Sequence, residues 1–204
     1  MTQHKRALIS VADKRGVEDF ARGLVERGYQ VVTTGGTLKA LEQAGVPAVS
    51  VSEVIGVPEI LAGRVKTLHP MIFAGILARR HIASDMDTLG DYGIEPIDVV
   101  AVNLQPFAAH EWTQFLEGID VGGPALLRSA AKNHPDLYVV VDPEDYPTVL
   151  TALSARHMAE HADLRRRLAA KVFEHTARYD RRIADHLKSY EPPDSIPPGR
   201  VGGC

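Results

Sequence analysis

The first fifty residues alternate between short apolar runs and amphipathic segments, and this alternation constrains the fold more than any other feature of the chain. Arg6 to Ala12 carries Ala7, Leu8, Ile9 and Val11, a near-continuous apolar run of the kind a strand buried on both faces shows. Asp13 then precedes Val17, Phe20, Ala21, Leu24 and Val25, whose spacing traces one apolar face of a helix, and Gly28 ends it. Tyr29 to Thr33 reads as a second strand, broken by Gly35-Gly36. Leu38 to Ala44 reads as a short helix stopped by Gly45, and Ala48 to Val51 as a third strand. The order predicts an α/β fold with a parallel sheet covered by helices. Right-handed crossovers bring the loops after the strands to one edge, where open sheets of this kind bind ligands. The loops at Asp13-Lys14 and Thr34 to Thr37 are therefore expected to face one crevice.

Further along, Val54 to Gly63 reads as loop and short helix, and Arg64 to Pro70 has no clean period. Asp98 to Val102 and Leu137 to Val141 read as further buried strands. Leu164, Leu168, Val172, Tyr179, Ile183 and Leu187 trace a stripe along one long helix. From Glu191 onward, prolines and glycines predict an extended tail, which divides the chain into a domain over 1–190 and a tail over 191–204.

Composition removes several function classes. The chain has 204 residues, with 23 basic and 26 acidic side chains and a formal net charge of -3, which does not fit a protein that coats nucleic acid or a membrane surface. Neither a signal peptide nor a run long enough to span a bilayer is visible. The single cysteine, Cys204, has no intramolecular partner, which points to a reducing compartment and a cytoplasmic protein.

Four segments carry chemical groups. Thr33-Thr34-Gly35-Gly36-Thr37 joins a strand to a helix. Glycines let backbone N–H groups approach a phosphate, and a helix N-terminus favours negative charge. The same residues also fit a plain strand-to-helix turn. Lys14 opens a helix directly after a strand, a place that disfavours a cation unless an anion sits there; a solvated lysine is the alternative. In Gly63-Arg64-Val65-Lys66-Thr67-Leu68-His69-Pro70, Arg64 and Lys66 would point the same way from an extended segment. An exposed basic edge reads equally well. In Ile119-Asp120-Val121-Gly122-Gly123-Pro124, proline suits a helix start and Asp120 lies just before it. Arg128 and Lys132 then share a face of that helix, although Lys132 also fits a simple complement to the helix C-terminus. His157-Met158-Ala159-Glu160-His161 has a zinc-binding spacing, but its polar, arginine-rich setting favours surface histidines.

Taken in order, Ser-x-x-Asp-Lys, Thr-Gly-Gly-Thr, Gly-Arg-Val-Lys-Thr-Leu-His-Pro, Asn-Leu-x-Pro-Phe, Ile-Asp-x-Gly-Gly-Pro and Arg-Ser-Ala-Ala-Lys-Asn-His resemble IMP cyclohydrolase, the N-terminal half of a bifunctional purine-biosynthesis protein that also carries AICAR formyltransferase. Phe173-Glu174-His175-Thr176-Ala177 with Tyr179-Asp180 extends the resemblance over about residues 5 to 190. It implies a fold like methylglyoxal synthase, a five-stranded parallel sheet flanked by helices with additional C-terminal helices. It implies a hydrolase-class enzyme that closes FAICAR to IMP with loss of water, a homodimer, and no metal or organic cofactor. A chain with this activity alone would take FAICAR from a separate formyltransferase.

The resemblance also implies roles. Ser10, Lys14, Thr34, Gly35, Gly36 and Thr37 correspond to a 5′-phosphate cradle. Arg64, Lys66 and Thr67 correspond to the segment over the carboxamide and formyl groups. Asn103, Leu104, Asp120, Val121 and Gly122 correspond to base and ribose contacts, and Gln105 to a substrate-binding position that orients the substrate or a water. Lys132 corresponds to a proton donor and acceptor, with Lys66 and Asp120 as the other catalytic groups. Clustering of Arg64, Lys66 and Lys132 is expected to favour a neutral lysine able to shuttle protons. Two departures stand out. Gln105 replaces the tyrosine of Asn-Leu-Tyr-Pro-Phe, and the stretch Phe107 to Ile119 is short and holds Trp112 and Phe115. Two other readings remain: a methylglyoxal-synthase-like sensor of nucleotide or phosphate without catalysis, and methylglyoxal synthase itself, whose aspartate-rich catalytic set is not found here.

Overall fold

A computed structural model describes residues 5–104, 112–154 and 158–190. Strand β1 (Lys5–Val11) leads into helix α1 (Val17–Glu26), then β2 (Tyr29–Thr33), α2 (Gly35–Gln43), β3 (Val49–Ser50) and α3 (Val51–Ile55). Helices α4 (Pro70–Leu77) and α5 (Ala83–Asp91) precede β4 (Val99–Asn103). After it come α6 (Trp112–Gly118), α7 (Gly122–Lys132), β5 (Tyr138–Val140), a 3-10 turn at Pro143–Asp145, α8 (Tyr146–Ser154) and the 32-residue α9 (Met158–Ser189).

The five strands form one parallel sheet in the order β3-β2-β1-β4-β5. The apolar run of β1 explains its central place, since Ala7, Leu8 and Ile9 are fully buried between layers. Val99 to Val102 of β4 are buried in the same way. Helix α1 turns Val17, Phe20, Ala21 and Leu24 inward, and Phe20 stacks on Tyr146 at the start of α8, ring centroids 4.2 Å apart. Helix α9 packs along α7 and β5 with Leu164, Leu168, Val172 and Tyr179 buried, four of the six residues in the expected stripe. Leu187, by contrast, is exposed. The chain leaves β1 first toward β2 and β3, then returns to the other side of β1 as β4. This reversal sets a switch point, and hence a crevice, at the carboxyl ends of β1 and β4.

The structure corrects several element boundaries. The third strand is only Val49–Ser50, because the Ser50 hydroxyl accepts from the Glu53 N–H at 3.0 Å and donates to the Glu53 carboxylate, an N-cap that starts α3 at once. Gly35 and Gly36 form the first turn of α2 rather than a break ahead of it. The irregular middle holds two helices, α4 and α5. Pro70 starts α4, and a β-carbon at Gly75 would stand 2.9 Å from the Glu95 carbonyl, so a small residue is needed where α4 crosses the chain before β4. The tail over 191–204 lies outside the described residues.

Candidate functional site

A cleft of about 1020 Å3 opens at the carboxyl ends of β1, β2 and β4. A smaller cavity of about 230 Å3, beside Arg6 and Ile97 at the opposite edge of the sheet, contains none of the expected site residues.

One end of the cleft is built by the loops after β1 and β2. The Ser10 and Thr34 hydroxyls share a hydrogen bond of 2.8 Å. The Thr37 hydroxyl donates to the Val11 carbonyl and accepts from the Val11 N–H, both at 3.2 Å, which ties the first turn of α2 to the end of β1. Lys14 Nζ donates to the Val11 carbonyl at 2.9 Å and lies 3.9 Å from where a β-carbon on Gly36 would be. Its ammonium therefore stands beside the N-terminus of α2, where early N–H groups lack helical partners and the helix dipole attracts an anion. Asp13, next to it, is drawn away by Arg15. The guanidinium holds the Asp13 carboxyl below its ordinary value through a side-chain hydrogen bond, with contacts of 2.8 and 2.6 Å.

Asn103 closes this end from β4. Its Oδ1 accepts from the Ala12 and Asp13 N–H groups at 2.7 and 2.9 Å, and its Nδ2 donates to the Asp13 carbonyl at 2.9 Å. An asparagine amide has two acceptor sites and two donors. Among the described residues three of these four are engaged, so Asn103 chiefly sets the shape of the loop that carries Lys14.

The other end is built by two loops. Residues Ile60 and Val65 form an antiparallel bridge, and Leu61, Ala62 and Gly63 between them have φ of 53°, 53° and 84°. The segment around Arg64 is thus a tight hairpin rather than the expected extended stretch. Arg64 lies in its turn, with Nε 3.7 Å from a Glu117 carboxylate oxygen, and Lys66 follows the bridge; both line the cleft. Glu59 stands across Gly63 from Lys66: a β-carbon on that glycine would be 3.3 Å from Glu59 Oε2 and 3.6 Å from Lys66 Nζ.

Opposite lies the start of α7. Asp120 Oδ1 accepts from the Gly123 N–H at 2.8 Å, and the Asp120 N–H donates to the Tyr179 hydroxyl at 2.8 Å. A β-carbon at Gly123 would stand 2.5 Å from Asp120 Oδ2 and 2.7 Å from Leu104 Cδ2, so the second glycine of Gly122-Gly123 permits this close seat. The buried Thr67 hydroxyl reaches within 3.0 Å of a β-carbon position on Gly122. Val121 is exposed at the rim, and Leu104 is buried beneath the loop.

The cleft therefore brings together Ser10, Lys14, Thr34, Gly36, Thr37, Arg64, Lys66, Thr67, Asn103, Asp120, Val121 and Gly122, with Gly35 at the adjoining helix start. The expected clustering of Lys132 with Arg64 and Lys66 is not found within this chain. Helix α7 starts at the cleft and runs away from it, so Lys132 is exposed at the far end, about 15 Å from Gly122 at about 1.5 Å per residue. Gln105 lies outside the described residues, as does His157. The partner of that histidine in the zinc spacing, His161, shares a 2.7 Å hydrogen bond through Nδ1 with the Tyr138 hydroxyl. Among the described residues no group of three or more His, Cys, Asp or Glu is placed to hold a metal. Two contributors went unassigned in the sequence. Gly123 was signalled by its glycine pair, whereas the hydrogen bonds of Tyr179 depend on tertiary packing alone.

Comparison with known proteins agrees with this architecture. Residues 16–125 match the MGS-like domain and residues 130–200 match the AICARFT/IMPCHase bienzyme. The bifunctional purine biosynthesis protein PurH of Oenococcus oeni is 52% identical over 198 residues, covering 94% of this chain and 38% of its own length. The PurH of Listeria monocytogenes is 53% identical over 189 residues, covering 90% and 37%. The chain belongs to the PurH family. It spans about two fifths of the length of these relatives. The crystal structure of ForH shares the fold, with a TM-score of 0.80 and 37% identity over 91% of this chain and 97% of that one. The boundary between the two matched regions falls inside α7: the cleft residues from Thr34 to Gly123 lie in the MGS-like match, whereas α9 lies in the match to the bienzyme.

Proposed function

We propose that this chain is an IMP cyclohydrolase, closing FAICAR to IMP with loss of water. The observation that carries this reading is a single cleft lined both by the anion cradle, Ser10, Lys14, Thr34, Gly36 and Thr37, and by Lys66 and Asp120. A ribotide has a phosphate and a reacting base held apart by a sugar, and the cleft has a place of matching chemistry for each.

In the reaction, the carboxamide nitrogen attacks the formyl carbon, and the formyl oxygen gains charge. The Lys66 ammonium stabilises that oxygen. Asp120, fixed by the Gly123 N–H, accepts a hydrogen bond from the amide and holds it in the attacking conformer. Because the reaction joins two groups of one molecule, holding that conformer removes much of the barrier. The amide nitrogen gives up one proton and the oxyanion takes one, leaving a carbinolamine; the formamido nitrogen then gives up a second proton, the hydroxyl takes one, and the C–O bond breaks to release water as the ring C=N bond forms. Lys132, given a proton-transfer part by the resemblance, has no support from the geometry of one chain, and the reading rests on Lys66 and Asp120. A homodimer, and an AICAR formyltransferase activity as the source of FAICAR, complete the proposal. Among the described residues no helix is long and apolar enough to cross a membrane.

The deciding experiment follows the absorbance change of FAICAR conversion to IMP. The wild-type chain should convert, and Lys66→Met should bind IMP yet lose at least about a hundredfold in kcat, in the range found on removing one oxyanion donor. No conversion together with tight IMP binding would leave a nucleotide sensor, which needs only the cradle.

A further inference from the structure

Tyr179 lies on α9, outside the MGS-like part of the chain, yet its hydroxyl meets the loop that presents Asp120. It accepts from the Asp120 N–H at 2.8 Å and donates to the Gly118 carbonyl at 3.4 Å. The Tyr179 side chain is 6% exposed, so the loop meets a partner fixed by packing. Burial pushes its phenol above the ordinary value, so the hydroxyl keeps its proton at neutral pH.

The Asp120 backbone is thus held from α9, while its carboxylate is held from α7 by the Gly123 N–H. Neither hold substitutes for the other. The second orients the carboxylate relative to α7, and the first fixes where the whole residue stands. We propose that Tyr179 is a positioning residue for ring closure, fixing where Asp120 stands in the cleft that Lys66 also lines and making the C-terminal helix part of the reacting end of the cleft. This rests on the cyclohydrolase reading. It adds a reason for α9: the cradle is built from the loops after β1 and β2, but the placement of Asp120 depends on a residue of the C-terminal helix.

Tyr179→Phe retains the ring and its packing and removes both hydrogen bonds. The kcat of FAICAR closure should fall about tenfold, equal to about 1.4 kcal/mol and within the range for a buried hydrogen bond lost from one side. The dissociation constant for IMP should stay within about twofold, because binding strength comes from the cradle. Amide hydrogen exchange supplies a reading independent of turnover. The Asp120 N–H should exchange at least about tenfold faster in the variant while amides within α9 keep their protection. An unchanged kcat in an active enzyme, or an unchanged Asp120 exchange rate, overturns the proposal. Activity that falls only in proportion to the unfolded fraction overturns it too, since that is a purely structural effect. A wild-type chain that does not close FAICAR refutes the cyclohydrolase reading instead, and Asp120 exchange then still decides whether Tyr179 holds the loop.

Discussion

The two ends of the cleft are built differently. At the cradle, hydrogen bonds lock every loop to a central strand: Asn103 clamps Ala12 and Asp13, Thr37 grips Val11, and Ser10 meets Thr34. At the reacting end, Lys66 follows a hairpin that closes on one bridge and carries Leu61, 69% exposed, and Ala62 in left-handed backbone. Left-handed conformations cost non-glycine residues about 1 kcal/mol or more each. The cradle is thus preformed, while the Lys66 hairpin sits close to other conformations that a bound base could select. Under the proposed function, affinity belongs to the rigid end and chemistry to the adjustable one, the division expected where binding energy at a remote group orients the reacting centre.

The largest expected effect comes from breaking the rigid end. Asn103→Ala removes three hydrogen bonds and leaves the Ala12 and Asp13 N–H groups unpaired in a partly buried loop. At about 1 kcal/mol net for each bond, chemical denaturation should show a loss of about 3 kcal/mol. Titration with IMP should show weaker binding as Lys14 loses its support. If stability falls but IMP binds as before, the cradle does not depend on the Asn103 clamp and the contrast between the two ends is weaker than stated.

A smaller effect on stability, but a sharper one on turnover, is expected at the other end. Gly123→Ala places a carbon against Asp120 Oδ2 and Leu104 Cδ2, within distances at which the carboxylate or the helix start must shift. Overpacking of this kind costs about 1–3 kcal/mol. The displaced group is the proposed amide acceptor, and misplacement of about 1 Å can cost about a hundredfold in rate. FAICAR turnover should therefore collapse while inorganic phosphate still binds the cradle. Equal losses of phosphate affinity and turnover would show that the two ends move as one.

The same contrast governs what could be read in the sequence. The cradle rests on β1 and β2, whose apolar runs and glycine punctuation declare themselves, and the predicted crevice between Lys14 and Thr34-Gly35-Gly36-Thr37 is where the cleft opens. Helix α4 was hidden because Met71, Ile72, Phe73, Ile76 and Leu77 leave no polar face to define a helical period. The serine N-cap at Ser50, with Glu53 three residues on, was legible but overshadowed by the β-branched run beside it. Lys132 shows a different limit. Its face of α7 was correctly shared with Arg128, but only the direction of the helix relative to the sheet tells which end meets the cleft. For Tyr179 the stripe gave burial but not what its hydroxyl would meet, since that partner lies 59 residues away in sequence.

The smallest effect concerns how α9 itself is anchored. Lys171 on α9 meets Asp142 and Asp145 after β5, each at 2.7 Å. A side-chain hydrogen bond from Lys171 holds the Asp142 carboxyl below its ordinary value, and the two aspartates together hold the Lys171 ammonium above its own despite partial burial. The signs then follow from linkage. A depressed carboxyl contributes stability above its unfolded value of about 3.9 and loses it as pH falls through the lower folded value. A raised lysine contributes below its unfolded value of about 10.4 and loses it as pH rises through the higher folded value. All three groups are partly exposed, so solvent screening holds the contribution to about 0.5 kcal/mol. The stability difference between wild type and Lys171→Met should thus be flat near neutral pH and shrink toward both extremes. IMP affinity should not move, because the cradle does not touch α9, while kcat should drop slightly if α9 shifts enough to disturb Tyr179. A difference in stability that stays constant from acid to alkali would mean that Lys171 acts by packing its stem, and that α9 is held over the reacting end by its apolar stripe alone.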